Sequence, residues 1–288
     1  MHLIRAAVAA VPFLLAAPIS AQESVVERGE YLTIAGGCID CHTIDSDDAV
    51  PLAGGRALES PFGTFYSPNI TPDVDTGIGA WSDDDFVSAF WQGVSPDGDH
   101  YYPAFPYTSY TGISRKDLLA MKAYLFSLEP VENDTPEHEL AWYISTRLAA
   151  GAWKLKNFDS ERFVSDPEQS AKWNRGAYLV RHLGHCGECH TPRSATGALR
   201  HDQELAGNPD LPDDEKMPNI TPHRDDGIGK WSIGDIEYFL HTGMLDDGDF
   251  VGSSMSAVID NNTSKLTKDD RLAIATYLKS IAPQLSSE

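Results

Sequence analysis

An all-α chain of two tandem helical modules joined by a helical linker is the fold class the sequence predicts, on three observations. The chain repeats itself over most of its length, and each copy opens and closes with apolar residues at helical spacing. The stretches between are too rich in Pro, Gly and Asn for regular elements and read as loops that wrap something larger than themselves. The 288 residues, 41% hydrophobic, suit about two domains at roughly 150 residues each. Lys and Arg number 22 against 43 Asp and Glu, a formal net charge of −21. So acidic a chain repels phosphate, which argues against nucleic acid and anionic lipid and for a basic or neutral partner.

Residues 1–21 precede the fold. Met1 to Arg5 is short and basic, Ala6 to Pro18 is apolar, and Ile19-Ser20-Ala21 puts a small residue before Gln22-Glu23, the pattern of a cleavable secretory signal peptide. The apolar run is shorter than the roughly 20 residues that span a bilayer and contains Pro12 and Pro18. No later stretch is long and apolar enough either. The expected mature chain is exported to the periplasm without a transmembrane segment of its own.

The first module then runs over 22–130, a linker over 131–172 and the second module over 173–288. Arg28-Gly29-Glu30-Tyr31-Leu32 matches Arg175-Gly176-Ala177-Tyr178-Leu179 at an offset of 147. Pro68-Asn69-Ile70-Thr71-Pro72 matches Pro218 to Pro222, and Gly77 to Ser82 matches Gly227 to Ser232, both at an offset of 150. Lys116-Asp117 to Tyr124-Leu125 matches Asp269-Asp270 to Tyr277-Leu278 at 153. Helices are expected over 26–36 and 173–184 and again over 116–128 and 269–281. Gly29 and Gly176 lack a side chain where the opening helix would cross the closing one, with Tyr124 and Tyr277 as packing partners. In the linker, Leu140 to Phe158 looks helical; packing on the modules is the favoured reading and a docking surface for a partner the alternative.

All four cysteines lie in two Cys-x-x-Cys-His motifs, Cys38-Ile39-Asp40-Cys41-His42 and Cys186-Gly187-Glu188-Cys189-His190. Two thiols at this spacing add to the two vinyl groups of one haem, and the following His reaches the iron from the proximal side. A thioredoxin-like pair does not call for the His. A zinc site brings its pairs about 15 to 20 residues apart, not 148, and disulfides within each motif would be unusually tight loops. Two covalently bound haem c groups are therefore expected, on Cys38 and Cys41 and on Cys186 and Cys189, with His42 and His190 as iron ligands.

With those motifs stand Asn-Ile-Thr-Pro, Gly-Ile-Gly-x-Trp-Ser, Gly93-Val94-Ser95-Pro96-Asp97-Gly98, Tyr102-Pro103-Ala104-Phe105-Pro106-Tyr107-Thr108-Ser109-Tyr110 and His185-Cys186 to His190-Thr191-Pro192-Arg193. Together they resemble the cytochrome c subunits of bacterial membrane-bound dehydrogenases of alcohols, sugars or sugar acids; similar chains accompany molybdenum-containing aldehyde and heterocycle oxidoreductases. The resemblance covers nearly all of the mature chain. It implies tandem class I cytochrome c domains and electron transfer from a catalytic subunit toward a downstream cytochrome, oxidase or quinone. The chain departs from the alcohol dehydrogenase subunits in having two haem motifs rather than three and no C-terminal membrane-binding segment.

The resemblance also implies an axial Met in the loop between the last two helices of each module. Met255, in Gly252-Ser253-Ser254-Met255, fits that role in the second; Met217 and Met244 are weaker rivals, and Met121 reads as core. A thioether ligand raises the reduction potential. The matching residue of the first module is Phe105, which cannot bind iron. The first haem is then five-coordinate or takes a replacement, with His100 the nearest candidate and Tyr101, Tyr102, His138 or water as others. Trp81 and Trp231 suit a haem edge or plain packing, and Arg193 a haem propionate or the surface. The acidic clusters Asp45/Asp47/Asp48, Asp83 to Asp85, Asp213 to Glu215 and Asp246/Asp247/Asp249 read as solvated faces.

Two functions survive. The favoured one is a periplasmic dihaem electron-transfer protein without catalysis of its own. The alternative is a dihaem redox enzyme, peroxidase-like or thiosulfate-oxidising, working at an open or unusually ligated first haem.

Overall fold

The computed structural model of the chain describes residues 24–209 and 216–286. The expected signal segment, residues 1–21, and the Asp213 to Glu215 cluster lie outside the described residues. Two copies of one helical pattern follow. The first comprises α1 (Val25–Ala35), α2 (Cys38–His42), α3 (Asp83–Gln92), α4 (Tyr107–Tyr110) and α5 (Arg115–Leu125). The second comprises α7 (Ala171–Tyr178) with a π-helical turn (Leu179–Leu183), α8 (Gly187–His190), α9 (Ile233–Thr242), α10 (Ser253–Asn261) and α11 (Lys268–Leu278).

Local chemistry sets the helix starts. Ser24, Ser82 and Ser232 each accept from the backbone N–H three residues on, while Glu27, Asp85 and Asp235 reach back to the N-cap amide, three capping boxes. Gly93 and Gly243 end α3 and α9 in the left-handed region. The opening and closing helices cross at their glycines: a Cβ on Gly29 would lie 1.9 Å from Ala120 O and 2.9 Å from Tyr124 Cβ, and one on Gly176 2.0 Å from Ala273 O and 2.8 Å from Tyr277 Cβ. Backbones approach that closely only where there is no side chain.

Three details differ from the expectations. The chain is helix-rich, as the predicted fold class requires, and adds a small three-stranded antiparallel sheet, β1 (Ala57–Leu58), β2 (Gly63–Tyr66) and β3 (Glu139–Leu140), which pairs Ala57 with Tyr66 and Gly63 with Leu140. Segments of two to four residues are too short to carry a period-2 signal. The linker helix is also shorter than Leu140 to Phe158, since Leu140 belongs to β3 and only α6 (Arg147–Asn157) is helical. Trp142-Tyr143-Ile144-Ser145-Thr146 is aromatic and β-branched and disfavours helix, whereas the Ala-, Leu- and Lys-rich stretch after it favours one. Third, Met255 stands in a helix, the first turn of α10, not in a loop.

One hydrophobic cluster runs through both copies, with Leu32, Phe86, Leu118 and Met121 from the first and Val180, Leu183, Ile236 and Ile274 from the second. Polar bonds cross between the copies in a reciprocal pattern. Arg28 pairs with Asp117, whose other oxygen accepts from Tyr178 of the second copy at 2.7 Å; Arg175 pairs with Asp270, whose carboxylate accepts from Tyr31 of the first at 2.6 Å. Ser114 N–H and Thr267 N–H donate to those same phenols. Each residue maps onto its counterpart at the repeat offsets, so the halves meet about a pseudo-two-fold axis, as subunits of a symmetric dimer do.

Candidate functional site

The two Cys-x-x-Cys-His segments are short helices at this interface. In the first, α1 ends at Gly36, Gly37 turns left-handed at φ 63°, and α2 places Cys38 and Cys41 about one turn apart with His42 beside them. In the second, Gly184 ends the π-helical turn and the left-handed residue is His185, at φ 37°. A non-glycine residue there is strained and needs holding. His185 Nε2 lies 3.3 Å from Gly36 O of the other copy, and its ring packs on Tyr110 at 5.2 Å. The two motifs therefore abut: a Cβ on Gly36 would sit 3.6 Å from Cys38 Sγ and 3.7 Å from Leu183, and one on Gly184 3.8 Å from Ala35 O.

Each motif helix is tied to the opposite copy. Asn261 donates to Asp40 at 2.6 Å, while Thr108 and Ser109 donate to Glu188 at 3.2 and 2.7 Å. Asp40 and Glu188 are counterparts at offset 148, so each motif is tied through the same position.

The imidazoles are oriented identically. His42 Nδ1 lies 2.8 Å from Pro68 O, and His190 Nδ1 lies 2.7 Å from Pro218 O. A carbonyl can only accept, so Nδ1 carries the proton and Nε2 is left with a lone pair. Burial pushes both imidazoles below the ordinary histidine range, against the opposing effect of these bonds. The carbonyls are fixed by the Asn-Ile-Thr-Pro repeats: Asn69 Oδ1 accepts from Thr71 N–H and hydroxyl, and Asn219 Oδ1 from the same groups of Thr221, all four residues being at most 4% exposed. Gly54 and Gly207 N–H groups donate to His42 O and His190 O, both at 2.8 Å. The sequence marked Asn-Ile-Thr-Pro as repeated; that it aims a histidine is visible only in the fold.

Burial pushes the Cys38 and Cys186 thiols up to about 12, the opposite of a redox-active or zinc-binding pair, whose thiolates are stabilised. Among the described residues, no three His, Cys, Asp or Glu side chains gather to hold a metal ion. Two thiols a turn apart beside an imidazole with a free Nε2 are instead the donor set that fits haem c.

Phe105 sits in a wall of rings, 5.2 Å from Phe90, 5.7 Å from Tyr101 and 5.7 Å from Tyr110. Met255 packs against the core at the matching place, Met217 is buried, and the sulfur of Met244 accepts from Tyr238. His100 turns toward α6: its Nδ1 lies 3.2 Å from Lys154 Nζ, and a Cβ on Gly151 would lie 2.6 Å from its ring. Accepting at Nδ1 leaves the proton on Nε2, so neither ring nitrogen offers a lone pair. Tyr102, in the small cluster under the sheet, donates to Ile144 O, and His138 accepts from Tyr66 N–H with its ring edge-on to Phe65 and Tyr102. Arg193 pairs with Glu188 at 2.7 Å and donates to Glu188 O, which steadies α8. Trp81 and Trp231 are half-buried against the core, Trp231 edge-on to Phe239. Among the described residues no helix is long and apolar enough to cross a membrane.

No protein-family model matches the chain. It is similar to a diheme cytochrome c-type protein of Cereibacter sphaeroides, with 42% identity over 257 residues covering 88% of this chain and 85% of the relative. It is 38% identical over 284 residues to the gluconate 2-dehydrogenase cytochrome c subunit of Pantoea cypripedii, covering 96% of this chain and 64% of that one. A nicotinate dehydrogenase subunit of Pseudomonas putida matches 90% of this chain at 39% identity, and the chain spans only 21% of it.

Proposed function

The chain belongs to the dihaem c-type cytochromes, electron-transfer proteins, and from that premise we propose that it relays single electrons from the catalytic subunit of a periplasmic dehydrogenase toward a respiratory acceptor. Residues 22–130 and 173–288 form one haem domain each, on either side of the 131–172 linker, and residues 1–21 direct export. Cys38 and Cys41 attach the first haem and Cys186 and Cys189 the second, each S–H adding across a vinyl group to give a thioether with no net gain or loss of electrons. His42 Nε2 and His190 Nε2 take the proximal positions. Met255 would supply the second ligand of the second haem, and Phe105 would offer none to the first. When bound, each haem supplies an iron that gains and loses one electron.

The residues of the chain do the rest. Pro68 O and Pro218 O hold the histidine tautomer and, by drawing on Nδ1–H, make Nε2 a stronger donor. The observation that carries the reading is that the two motifs abut across the pseudo-two-fold interface, with His185 against Gly36 O, so an electron need not leave the chain to pass between them.

The test is haem stoichiometry. Pyridine haemochrome analysis should give two covalent haems per chain, and one after Cys38→Ala with Cys41→Ala or after Cys186→Ala with Cys189→Ala. Haem extractable by acidified solvent, or one haem in the unaltered chain, contradicts the proposal.

A further inference from the structure

Helix α6 is built inside out. Its inward face buries Ala150 and Lys154, while Leu148 and Leu155, two turns apart on one face, are 83% and 93% exposed. Trp142, just before the helix, is 86% exposed and Tyr143 55%. Lysine inside and leucine outside reverses the usual partition, and each exposed leucine forgoes the gain of burial. Lys154 has a reason to be inside: its ammonium donates to Gln92 O and Gly93 O at the end of α3 and to His100 Nδ1. The exposed leucines and Trp142 form an apolar face that lacks any such reason within the chain.

The same stretch stands apart in charge. Residues 141–158 contain no Asp or Glu, in a chain with 43 of them, and carry Arg147 and Lys156 beside the apolar face. We propose that this face docks the dehydrogenase catalytic subunit through an apolar surface rimmed with carboxylates, an inference that rests on the electron-transfer reading above. An apolar centre with a basic rim selects an acidic rim on its partner. A second copy of this chain is disfavoured, because α6 against α6 would bring Arg147 and Lys156 together with themselves between two bodies of net charge −21. A bilayer suits Trp, Leu and Lys together, but an anionic one repels a body of that charge.

The position of α6 says where the partner would stand. The Arg147 guanidinium lies over the Tyr102 ring at 4.8 Å, Lys154 Nζ is 5.0 Å from the centre of the Tyr107 ring, and Phe158 meets that same ring edge-on at 5.0 Å. These rings flank Phe105, so a partner on α6 adjoins the distal loop of the first site.

The test uses the full chain, tagged and expressed in its native host, with Leu155 replaced by photoreactive p-benzoylphenylalanine. Irradiation should cross-link it to a flavin, quinone or molybdenum dehydrogenase subunit identified by mass spectrometry, and the same probe at Val74, exposed at 65%, should not. Leu148→Glu with Leu155→Glu should then raise the Kd for that subunit at least about tenfold, or about 1.4 kcal/mol, with haem content and reduction by dithionite unchanged. Cross-links to a second copy or to lipid, no cross-link, or an unchanged Kd overturn the docking proposal. A purified chain without covalent haem overturns the electron-transfer reading instead, wherever the probe lands.

Discussion

The first half sets Phe105 among the rings of Phe90, Tyr101 and Tyr110; at offset 150 the second half has Met255 in the first turn of α10. On the proximal side the halves are nearly superposable: the same carbonyl on each Nδ1, the same Asn and Thr behind it, the same glycine amide on each histidine carbonyl. The connector adds a further difference. His100 lies beneath α6, whereas its counterpart at offset 150, Phe250, is 64% exposed. A proximal ligand has one geometry that works, so its support is duplicated in detail. On the reading proposed above Phe105 and Met255 face the distal side, which tunes a site and gives access to it, and there the copies differ. Two sites with matched proximal support and different distal residues are a natural way to obtain two potentials in one chain.

Exchanging the distal residues should therefore exchange the properties. Met255→Phe should lower the potential of the second haem by on the order of 100 mV, about 2.3 kcal/mol per electron, remove the Met-to-iron charge-transfer band, and open that haem to carbon monoxide. Phe105→Met should shift the first haem in the opposite sense. Potentiometric titration with optical readout measures both, and a single unchanged pair of potentials across all three proteins would mean that neither residue faces iron.

The crossing glycines test whether the halves are packed alike. In a helix, Gly→Ala alone would gain about 1 kcal/mol, but at Gly29 and Gly176 the new methyl would meet a backbone carbonyl at 1.9 and 2.0 Å. Overpacking at such sites costs about 3 kcal/mol, so a net loss of about 2 kcal/mol is expected from Gly29→Ala and from Gly176→Ala in denaturant titrations. A stabilised variant at either position would show that the helix pair there can separate without cost.

Those glycine contacts, the proximal motifs and the repeat itself are legible in the sequence because identical residues recur at fixed offsets. What recurs can be located without knowing what it touches. The cross-copy bonds are harder to read: Tyr31 and Asp270 lie 239 positions apart, and Tyr31 sits in a helix whose repeat otherwise signals only packing. The left-handed turn at His185 is hidden for another reason, since its counterpart is Gly37 and only the glycine announces the turn. His100 drew attention by its type and its place on the loop, but its neighbours Gly151 and Lys154 come from α6, the latter 54 residues on. The sheet and α10 are short elements fixed by long-range contacts, for which local propensity is silent.

The smallest expected effects lie at the reciprocal tyrosines. Tyr178→Phe removes a bond to Asp117 with both partners buried, at 7% and 6% exposure, and should cost about 2 kcal/mol; Tyr31→Phe acts on the wetter Asp270 and should cost about 1 kcal/mol. The Asp270 site also predicts a pH dependence. Burial pushes its carboxyl up, but the bonds from Arg175 and Tyr31 outweigh that and leave it below the ordinary aspartate range. A depressed carboxyl contributes stability that is present above the unfolded value of about 3.9 and is lost as the pH falls through the folded one. Tyr31→Phe removes one of the groups that lower it, so the thermal midpoint of the variant should fall less steeply between about pH 5 and pH 3 than that of the parent chain. Parallel curves in that window, with a uniform offset, would place the contribution of Tyr31 in its contact with the Thr267 amide and not in the carboxylate.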